Sequence, residues 1–293
     1  MSAERPHALI VNPSSGAGRG SSLLPRAQEA LSARGLEFRT VITTSLEHGV
    51  ETATHAHEQG EIPVVMSGDG LAGQIGGALA RTGATMGLIP GGRGNDLARV
   101  LGIPSEIEEA ADVLAAGNVR QIDVGEVNGN RFLCIASVGF DSDANRIANE
   151  AKVIRGNLVY AYAALRALAA WKPATFTLRF DGGEEHSFRG YAVAAANSKA
   201  FGGGMFIAPD ADLEDGRFDV VMTGSVGKLR FLANLPKVFK GTHVEEDEIE
   251  VRRATTVEVS ADRGFAVYAD GEHLTDLPAE LRILPKALGM IAP

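Results

Sequence analysis

From residue 7 to about residue 123, short apolar runs alternate with helical segments, and this alternation constrains the chain more than any other feature. HALIVN, FRTVITT, IPVVM and TMGLIP are short, rich in β-branched residues and bounded by Gly, Pro or Ser, which reads as strands. Between them SLLPRAQEALSARG, EHGVETATHAHEQG and LAGQIGGALAR read as helices, the first closed by Gly35 as a C-terminal cap. Strands alternating with helices predict a parallel sheet covered on both faces. Past Asp123 the pattern turns to paired strands at turn signals: Asn128-Gly129 in EVNGNRF, Gly182-Gly183 in RFDGGEEHSF, then VEVSADRGFAVYADGEHL. The expected division is an α/β domain over residues 1–124 and a β-rich domain over residues 125–293, with helical excursions near 141–171 and 226–240. The last segment, ELRILPKALGMIAP, fits either the second domain or a return to the first.

A length of 293 residues allows each of two domains a real core. The formal charge of -9 repels nucleic acid and, on average, an anionic membrane face, so bulk charge attracts neither. Cys134 is the single cysteine, which excludes a disulfide framework or Cys-rich zinc site and points to a reducing, cytoplasmic setting. The longest apolar run, LVYAYAALRALAAW, carries Arg166 and is too short to span a bilayer. His55 and His57, two apart, cannot share a helix face, and neither they nor His7 and His48 form a metal set.

The 35 glycines exceed the usual share, and they gather in three loops that each follow a strand of the first domain. These are NPSSGAGRG from Asn12, SGDG from Ser67 and PGGRGND from Pro90. In an open α/β sheet such loops converge at the strand carboxyl ends, where backbone amides and helix N-termini suit phosphate. Neither the GxxxxGK[ST] nor the GxGxxG fingerprint is present. Asp69 and Asp96 within these loops would repel a bare phosphate, which argues for an intervening divalent cation such as Mg2+. Asp123, ending VRQID, is expected at the same crevice edge. The plainer alternatives are that Asp96 caps a helix starting at Asn95 and that Asp69 stabilises a turn.

NPSSG, the GDG of MSGDG, PGGRGNDLARVLGIP, APDADLEDGRFDV and YADGEHL, in this order, resemble the diacylglycerol kinase catalytic family, in particular the soluble bacterial lipid kinases. GDG alone is shared with NAD kinases; the later segments favour the lipid kinases. The resemblance implies an N-terminal nucleotide-binding α/β domain of NAD kinase/diacylglycerol kinase type, a C-terminal β-sandwich with helical excursions, and ATP with Mg2+ between them. It implies ATP contacts from Asn12, Pro13, Ser14, Ser15, Gly16, Thr43, Gly68, Asp69, Gly70, Leu71, Ala72, Gly73 and Gln74. Asp69, Asp96 and Asp123 would hold catalytic Mg2+, partly through water. Asp212, Asp215 and Arg217 would hold a structural Mg2+ through two carbonyls and the Asp215 carboxylate, although Asp215 also suits a plain turn. The family pattern GGDGT and GT-x-ND is altered here to Ser67, Leu71 and Arg93, so two hydroxyls are lost; Arg93, and Arg19 in the first loop, would supply charge-assisted contacts instead.

Phosphoryl transfer also needs a carboxylate to take or orient the acceptor's proton. In YADGEHL, Asp270 and Glu272 would face one side of a strand, with Gly271 allowing close approach, unless Asp-Gly forms a hairpin turn. The resemblance makes one of them the general base; Glu272 is preferred, with Asp270 orienting it or binding metal. KLRFLANLPKVFK carries Lys228, Arg230, Lys237 and Lys240 with no acid among apolar residues, which suits either an anionic membrane surface or a packed helix kinked at Pro236. A weaker basic candidate is Lys152, Arg155, Arg166 and Lys172. The expected function is ATP- and Mg2+-dependent phosphorylation of the free hydroxyl of diacylglycerol at a membrane surface. The alternatives are another lipid acceptor, phosphatidylglycerol or a sphingoid base, or a silent nucleotide- or lipid-binding module. A homodimer is left open.

Overall fold

The computed structural model describes residues 5–140, 142, 168 and 171–293, with the side chains of Ala17 and Arg19 outside the described set. Most of the expected helical excursion at 141–171, with Lys152, Arg155 and Arg166, falls outside the described residues.

The first half runs β1 (His7–Val11), α1 (Ser15–Ala33), β2 (Phe38–Ile42), α2 (Leu46–Glu58), β3 (Ile62–Ser67), α3 (Asp69–Leu79), β4 (Thr85–Pro90), α4 (Asp96–Leu101) and α5 (Ile107–Ala116). The four strands lie in the order β4-β3-β1-β2, all parallel. Alternate residues of these strands feed two cores, as the two-residue strand period requires. Leu9, Val11, Val64, Met66 and Ile89 pack with Ala27 and Leu31 of α1 and with Ile107 and Leu114 of α5. Ala8, Ile10, Val65, Met86 and Leu88 pack with Ala53 and Ala56 of α2 and with Leu71, Ile75 and Leu79 of α3. The expected parallel sheet with helices on both faces is therefore present. One boundary differs: α1 starts at Ser15 and takes Gly16, Gly18 and Gly20 out of the first loop. Gly20 is needed there because a methyl group would overlap the Asn12 carbonyl oxygen.

The second half comprises β5 (Val119–Val127), β6 (Asn130–Phe132), β7 (Ile135–Gly139), β8 (Ala174–Phe180), β9 (Glu185–Ala196), β10 (Phe218–Gly224), α6 (Lys228–Val238), β11 (Ile249–Ala254), β12 (Thr256–Ala261), β13 (Ala266–Ala269), β14 (Glu272–Asp276) and β15 (Ala279–Ile291). Its internal pairings among the described residues are antiparallel. Phe132, Phe176, Tyr191, Phe218, Val257 and Val267 form its core. The turn signals act as left-handed hairpin turns at Asn128-Gly129, Asp181-Gly182 and Asp270-Gly271, the second one residue earlier than the Gly-Gly pair suggested.

Strand β15 joins the halves. One edge of β15 pairs antiparallel with β5 on both sides of a bulge between Leu284 and Leu288; the other edge pairs antiparallel with β12 before the bulge, and after it Gly289 and Met290 pair in parallel with Thr85 and Met86 of β4. The C-terminal segment thus serves both halves, because one long strand passes from an antiparallel to a parallel neighbour along that edge, the bulge shifting its register on β5. Gly289 permits the close approach: a Cβ there would lie 2.8 Å from Thr85 Oγ1.

Candidate active site

Strands β1, β3 and β4 end at Val11, Ser67 and Pro90, so the three glycine loops emerge at one edge of the sheet. The backbones of the second and third loops touch. A Cβ built on Gly68 would lie 3.0 Å from the Gly92 Cα, and one on Gly92 would overlap Gly68. Gly91 N–H donates to the Ser67 carbonyl at 2.9 Å, and Asn95, at φ 50°, closes the third loop with its side-chain oxygen accepting from Gly92 N–H at 2.8 Å. In the first loop Asn12 Oδ1 accepts from Ser14 N–H at 3.0 Å. Ser15 Oγ is buried without a hydrogen-bond partner, 3.4 Å from where a Gly91 Cβ would stand. An unsatisfied hydroxyl between two glycine loops suits a polar ligand. Thr43, at the end of β2, is buried with Oγ1 donating to the Val11 carbonyl at 3.2 Å.

Two of the expected carboxylates meet over this cradle. A Cβ on Gly94 would lie 3.0 Å from Asp69 Oδ2 and 3.3 Å from Asp96 Oδ2, so the absent side chain leaves both oxygens facing one small space. Asp69 Oδ1 accepts from Leu97 N–H at 3.1 Å, satisfying an amide in the first turn of α4. Asp96 Oδ2 accepts from Gly203 N–H at 2.7 Å, and Arg99 Nη1 stands 3.5 Å from Oδ1. Helix α4 begins at Asp96 with Asn95 as its N-cap residue, so Asp96 reaches across to the second half of the chain and does not cap its own helix. Burial raises the Asp69 pKa and the Asp96 charge adds to it, with the Leu97 amide opposing.

The β13–β14 turn brings the other pair. Asp270 and Glu272 do not share a strand face: Asp270, at φ 51°, and Gly271, at φ 90°, form the two-residue turn, and Glu272 pairs with Ala269. The reason is that Asp-Gly tolerates the left-handed turn that a strand of i and i+2 carboxylates cannot contain. Asp270 accepts from three successive amides, Leu133 at 2.7 Å, Cys134 at 3.0 Å and Ile135 at 3.2 Å. Its pKa is pushed up to about 6 by burial, those amides lowering it and Asp69 raising it again. Glu272 is exposed, with Oε1 3.7 Å from the position of a Gly70 Cβ, while Asp270 Oδ2 is 3.0 Å from that of Gly73. The glycines of α3 therefore admit the hairpin carboxylates.

Other expected residues are placed differently. Leu71 and Ala72 are buried, and Leu71 Cδ1 lies 2.7 Å from a Gly49 Cβ position, so its side chain fills the α2–α3 contact and does not replace a lost hydroxyl. Gln74 is half-buried, Pro13, Ser14 and Gly16 border the first loop, and Arg93 is exposed at the tip of the third. Arg19 lies in α1, its side chain outside the described set. Asp123 does not join Asp69 and Asp96. It sits within β5, fully buried, its oxygens taking Lys286 N–H at 2.7 Å and Gly216 N–H at 2.6 Å, because the β15 bulge and the 212–217 turn close over it. Burial raises its pKa, the two amides oppose, and its charged neighbours are Asp215 and Asp212. Asp212 and Asp215 are exposed turn residues accepting from Glu214 and Arg217 amides at 3.0 Å each, and Arg253 Nη1 stands 3.9 Å from Asp215 Oδ2. No group of three or more His, Cys, Asp or Glu among the described residues is arranged to hold a metal ion.

Sequence reasoning missed the loop around Gly203. Gly202, Gly203 and Gly204 all have positive φ, 65°, 86° and 100°, and the Phe201–Met205 bridge closes the loop against Asp96. The run FGGGM was the available signal. The Leu133–Ile135 amides that seat Asp270 left no signal, since backbone donors have no side-chain signature.

Residues 6–127 match the family model of the diacylglycerol kinase catalytic domain, and residues 134–292 match that of the YegS C-terminal NAD kinase beta sandwich-like domain. These two matches define the chain as a phosphotransferase of the NAD kinase/diacylglycerol kinase type. The chain belongs to the diacylglycerol kinase family, a family of lipid kinases. It is 34% identical over 291 residues to the diacylglycerol kinase of Mycobacterium tuberculosis, covering 97% of this chain and 94% of that protein. Identity to the diacylglycerol kinase of Bacillus subtilis strain 168 is 30%, covering 97% and 95%. A crystal structure of a diacylglycerol kinase from Bacillus anthracis superposes with a TM-score of 0.79 at 22% identity, covering 100% of this chain and 98% of the other. An Archaeoglobus fulgidus NAD kinase solved with ATP superposes at 0.53, with 16% identity and 97% and 93% coverage, and shares the fold. No helix among the described residues is long and apolar enough to cross a membrane.

Proposed function

We propose that the protein is an ATP- and Mg2+-dependent lipid kinase that transfers a phosphoryl group to the free hydroxyl of diacylglycerol, giving phosphatidic acid. The observation that carries this reading is the pair Asp69 and Asp96 around the side-chain-free Gly94, at a glycine cradle whose Gly70 lies near the exposed Glu272. The α/β domain, residues 1–124, holds ATP through Asn12–Gly16, Thr43 and Gly68–Gln74, with Ser15 Oγ available to a phosphate oxygen and Arg93 reaching from the loop tip. Two like-charged carboxylates whose Oδ2 atoms lie 3.0 and 3.3 Å from one point, the position of a Gly94 Cβ, fit a divalent cation, and Asp69 and Asp96 would hold it, Asp96 while also accepting from the Gly203 amide. When bound, Mg2+ neutralises charge on the phosphates. A structural Mg2+ at Asp212, Asp215 and Arg217 belongs to the same reading: Asp215 Oδ1 accepts from the Arg217 amide at 3.0 Å, and its exposed Oδ2, with Arg253 Nη1 3.9 Å away, would join the Asp212 and Arg217 carbonyls in holding the cation.

Glu272 acts as the base that takes the acceptor hydroxyl's proton. Asp270 is a positioning residue, since both its oxygens are engaged by backbone amides and its role is to fix the turn that presents Glu272. The β-rich domain, residues 125–293, supplies this turn and the lipid acceptor surface.

The test is transfer of labelled γ-phosphate from ATP to a panel of diacylglycerol, phosphatidylglycerol and a sphingoid base in mixed micelles, with NAD as a control acceptor. Labelled phosphatidic acid that disappears on chelation of Mg2+ is expected. Labelling of another lipid alone would reassign the acceptor, and no labelled lipid at all would overturn the reading.

A further inference from the structure

Helix α6 and the residue after it leave two large apolar side chains exposed. Leu229 is 84% exposed and Phe239, just past its end, 54%. Phe231 instead turns inward and stacks on Tyr191 at 4.4 Å, with an edge contact to Phe140 at 4.8 Å, so the helix is fixed to the second core. Ala233 and Pro236 continue the outer stripe from Leu229 to Lys240 at helical spacing. Pro236 does not strip this face of its helical form: the helix runs unbroken from Lys228 to Val238.

The charges around the stripe are arranged asymmetrically. Arg230 pairs with Glu248 at 2.7 Å and Lys237 pairs with Glu246, acids that the sequence segment itself lacks. The basic heads face out and the acids in: the Arg230 side chain is 55% exposed against 8% for Glu248, and Lys237 41% against 21% for Glu246. Lys240 is exposed beside Phe239. Glu245 and Asp247, also exposed in the following segment, keep the local field modest.

The helix is also tied to a loop of the candidate active site. The Val238 carbonyl accepts from Phe206 N–H at 3.0 Å, and the same 201–209 loop carries the Gly203 amide bound to Asp96.

We propose that the outward face of α6, Leu229 and Phe239 ringed by Arg230, Lys237 and Lys240, seats the protein on an anionic lipid bilayer. The inference rests on the lipid-kinase reading above and names the surface through which it acts. A second copy of this chain is the other occupant, and the test below separates it from a bilayer. Apolar insertion supplies most of the affinity and the cations select anionic headgroups.

Co-sedimentation with phosphatidylcholine vesicles, with and without phosphatidylglycerol, tests this without ATP or turnover. The wild type is expected to bind the phosphatidylglycerol vesicles more tightly. The double variant Leu229→Glu/Phe239→Glu should weaken that binding by about tenfold or more, as withdrawing a Leu or Phe side chain from an apolar phase predicts. Lys240→Glu should weaken it by about fivefold and only on the anionic vesicles. An unchanged melting temperature checks folding in each case. No vesicle binding by the wild type, or undiminished binding by the double variant, overturns the proposal. A double variant that binds vesicles normally but loses a dimer seen by light scattering would assign the face to a second copy. Failure of lipid phosphorylation with helix-dependent vesicle binding intact would overturn the proposed reaction and leave this surface standing.

Discussion

Two acidic clusters occupy this protein, and they resemble each other far more in sequence than in space. Around Gly94, Asp69 and Asp96 lie against the Leu97 and Gly203 amides, and each keeps an oxygen directed at a space that no side chain fills. Around the 212–217 turn, Asp123 is sealed by two amides, Asp215 bonds within its own turn, and Arg253 pairs with Asp219 at 3.0 Å. In the first cluster Arg99 stands 3.5 Å from Asp96 and two carboxylate oxygens share one space beside a cradle of amides; in the second Arg253 bonds directly to Asp219, and the Asp123 oxygens face backbone amides from two different segments. An acidic motif becomes a candidate site where the fold turns carboxylates towards a shared space.

The sharpest way to break this contrast is Glu272→Gln, which removes a base and leaves the cradle. Turnover is expected to fall by about 10²–10⁴-fold with little change in the affinity for ATP, measured by steady-state kinetics. Wild-type turnover would move the base elsewhere.

Asp270 gives the pH signature of the hairpin turn that presents Glu272. Its folded pKa of about 6 lies above the unfolded carboxylate value, so ionisation costs stability at neutral pH. This group therefore adds stability as pH falls from about 6 towards about 4, by roughly 2–3 kcal/mol over that window. Asp270→Asn lacks that titration, so the advantage of wild type over the variant in urea unfolding should grow on acidification across the same range.

Gly92→Ala tests whether the glycine loops truly converge. Its methyl would meet the Gly68 backbone, and a loss of roughly 1–3 kcal/mol is expected together with weaker ATP binding. Arg253→Met probes the second cluster alone. Leaving Asp219 buried without its partner should cost about 1 kcal/mol or somewhat more in chemical denaturation, with turnover unchanged. The smallest effect is expected for Arg93→Ala, a rise of a few-fold, on the order of one charge-assisted hydrogen bond, in the KM for ATP with kcat nearly intact.

Much of this was legible in the residues. The short β-branched runs of the first half and the Asn-Gly and Asp-Gly pairs of the second mark their strands and turns because strand period and positive φ are local requirements. The pairing of Asp69 with Asp96 followed from glycine loops at successive strand ends. Asp123 was misplaced because it lies in mid-strand, and its neighbours come from a bulge more than 160 positions away and from the 212–217 turn. Leu71 looked like a defect in a phosphate loop because the Gly49 opposite it is visible only once α2 and α3 pack. The 228–240 segment read as a run of unopposed bases because Glu246 and Glu248 meet it only after the chain folds back.

What the sequence determined by itself was the alternation that winds the first half, the hairpins of the second and the family motifs in their order. These depend on side-chain period, turn chemistry and residue identity, all carried by neighbouring residues. The tertiary structure decided that Asp270 seats a turn and leaves Glu272 exposed, that Gly203 reaches Asp96, and that one strand, β15, binds both halves. Those outcomes rest on which backbone amide or opposing charge lies across the fold, and that is set by long-range pairing and burial, which no local pattern encodes.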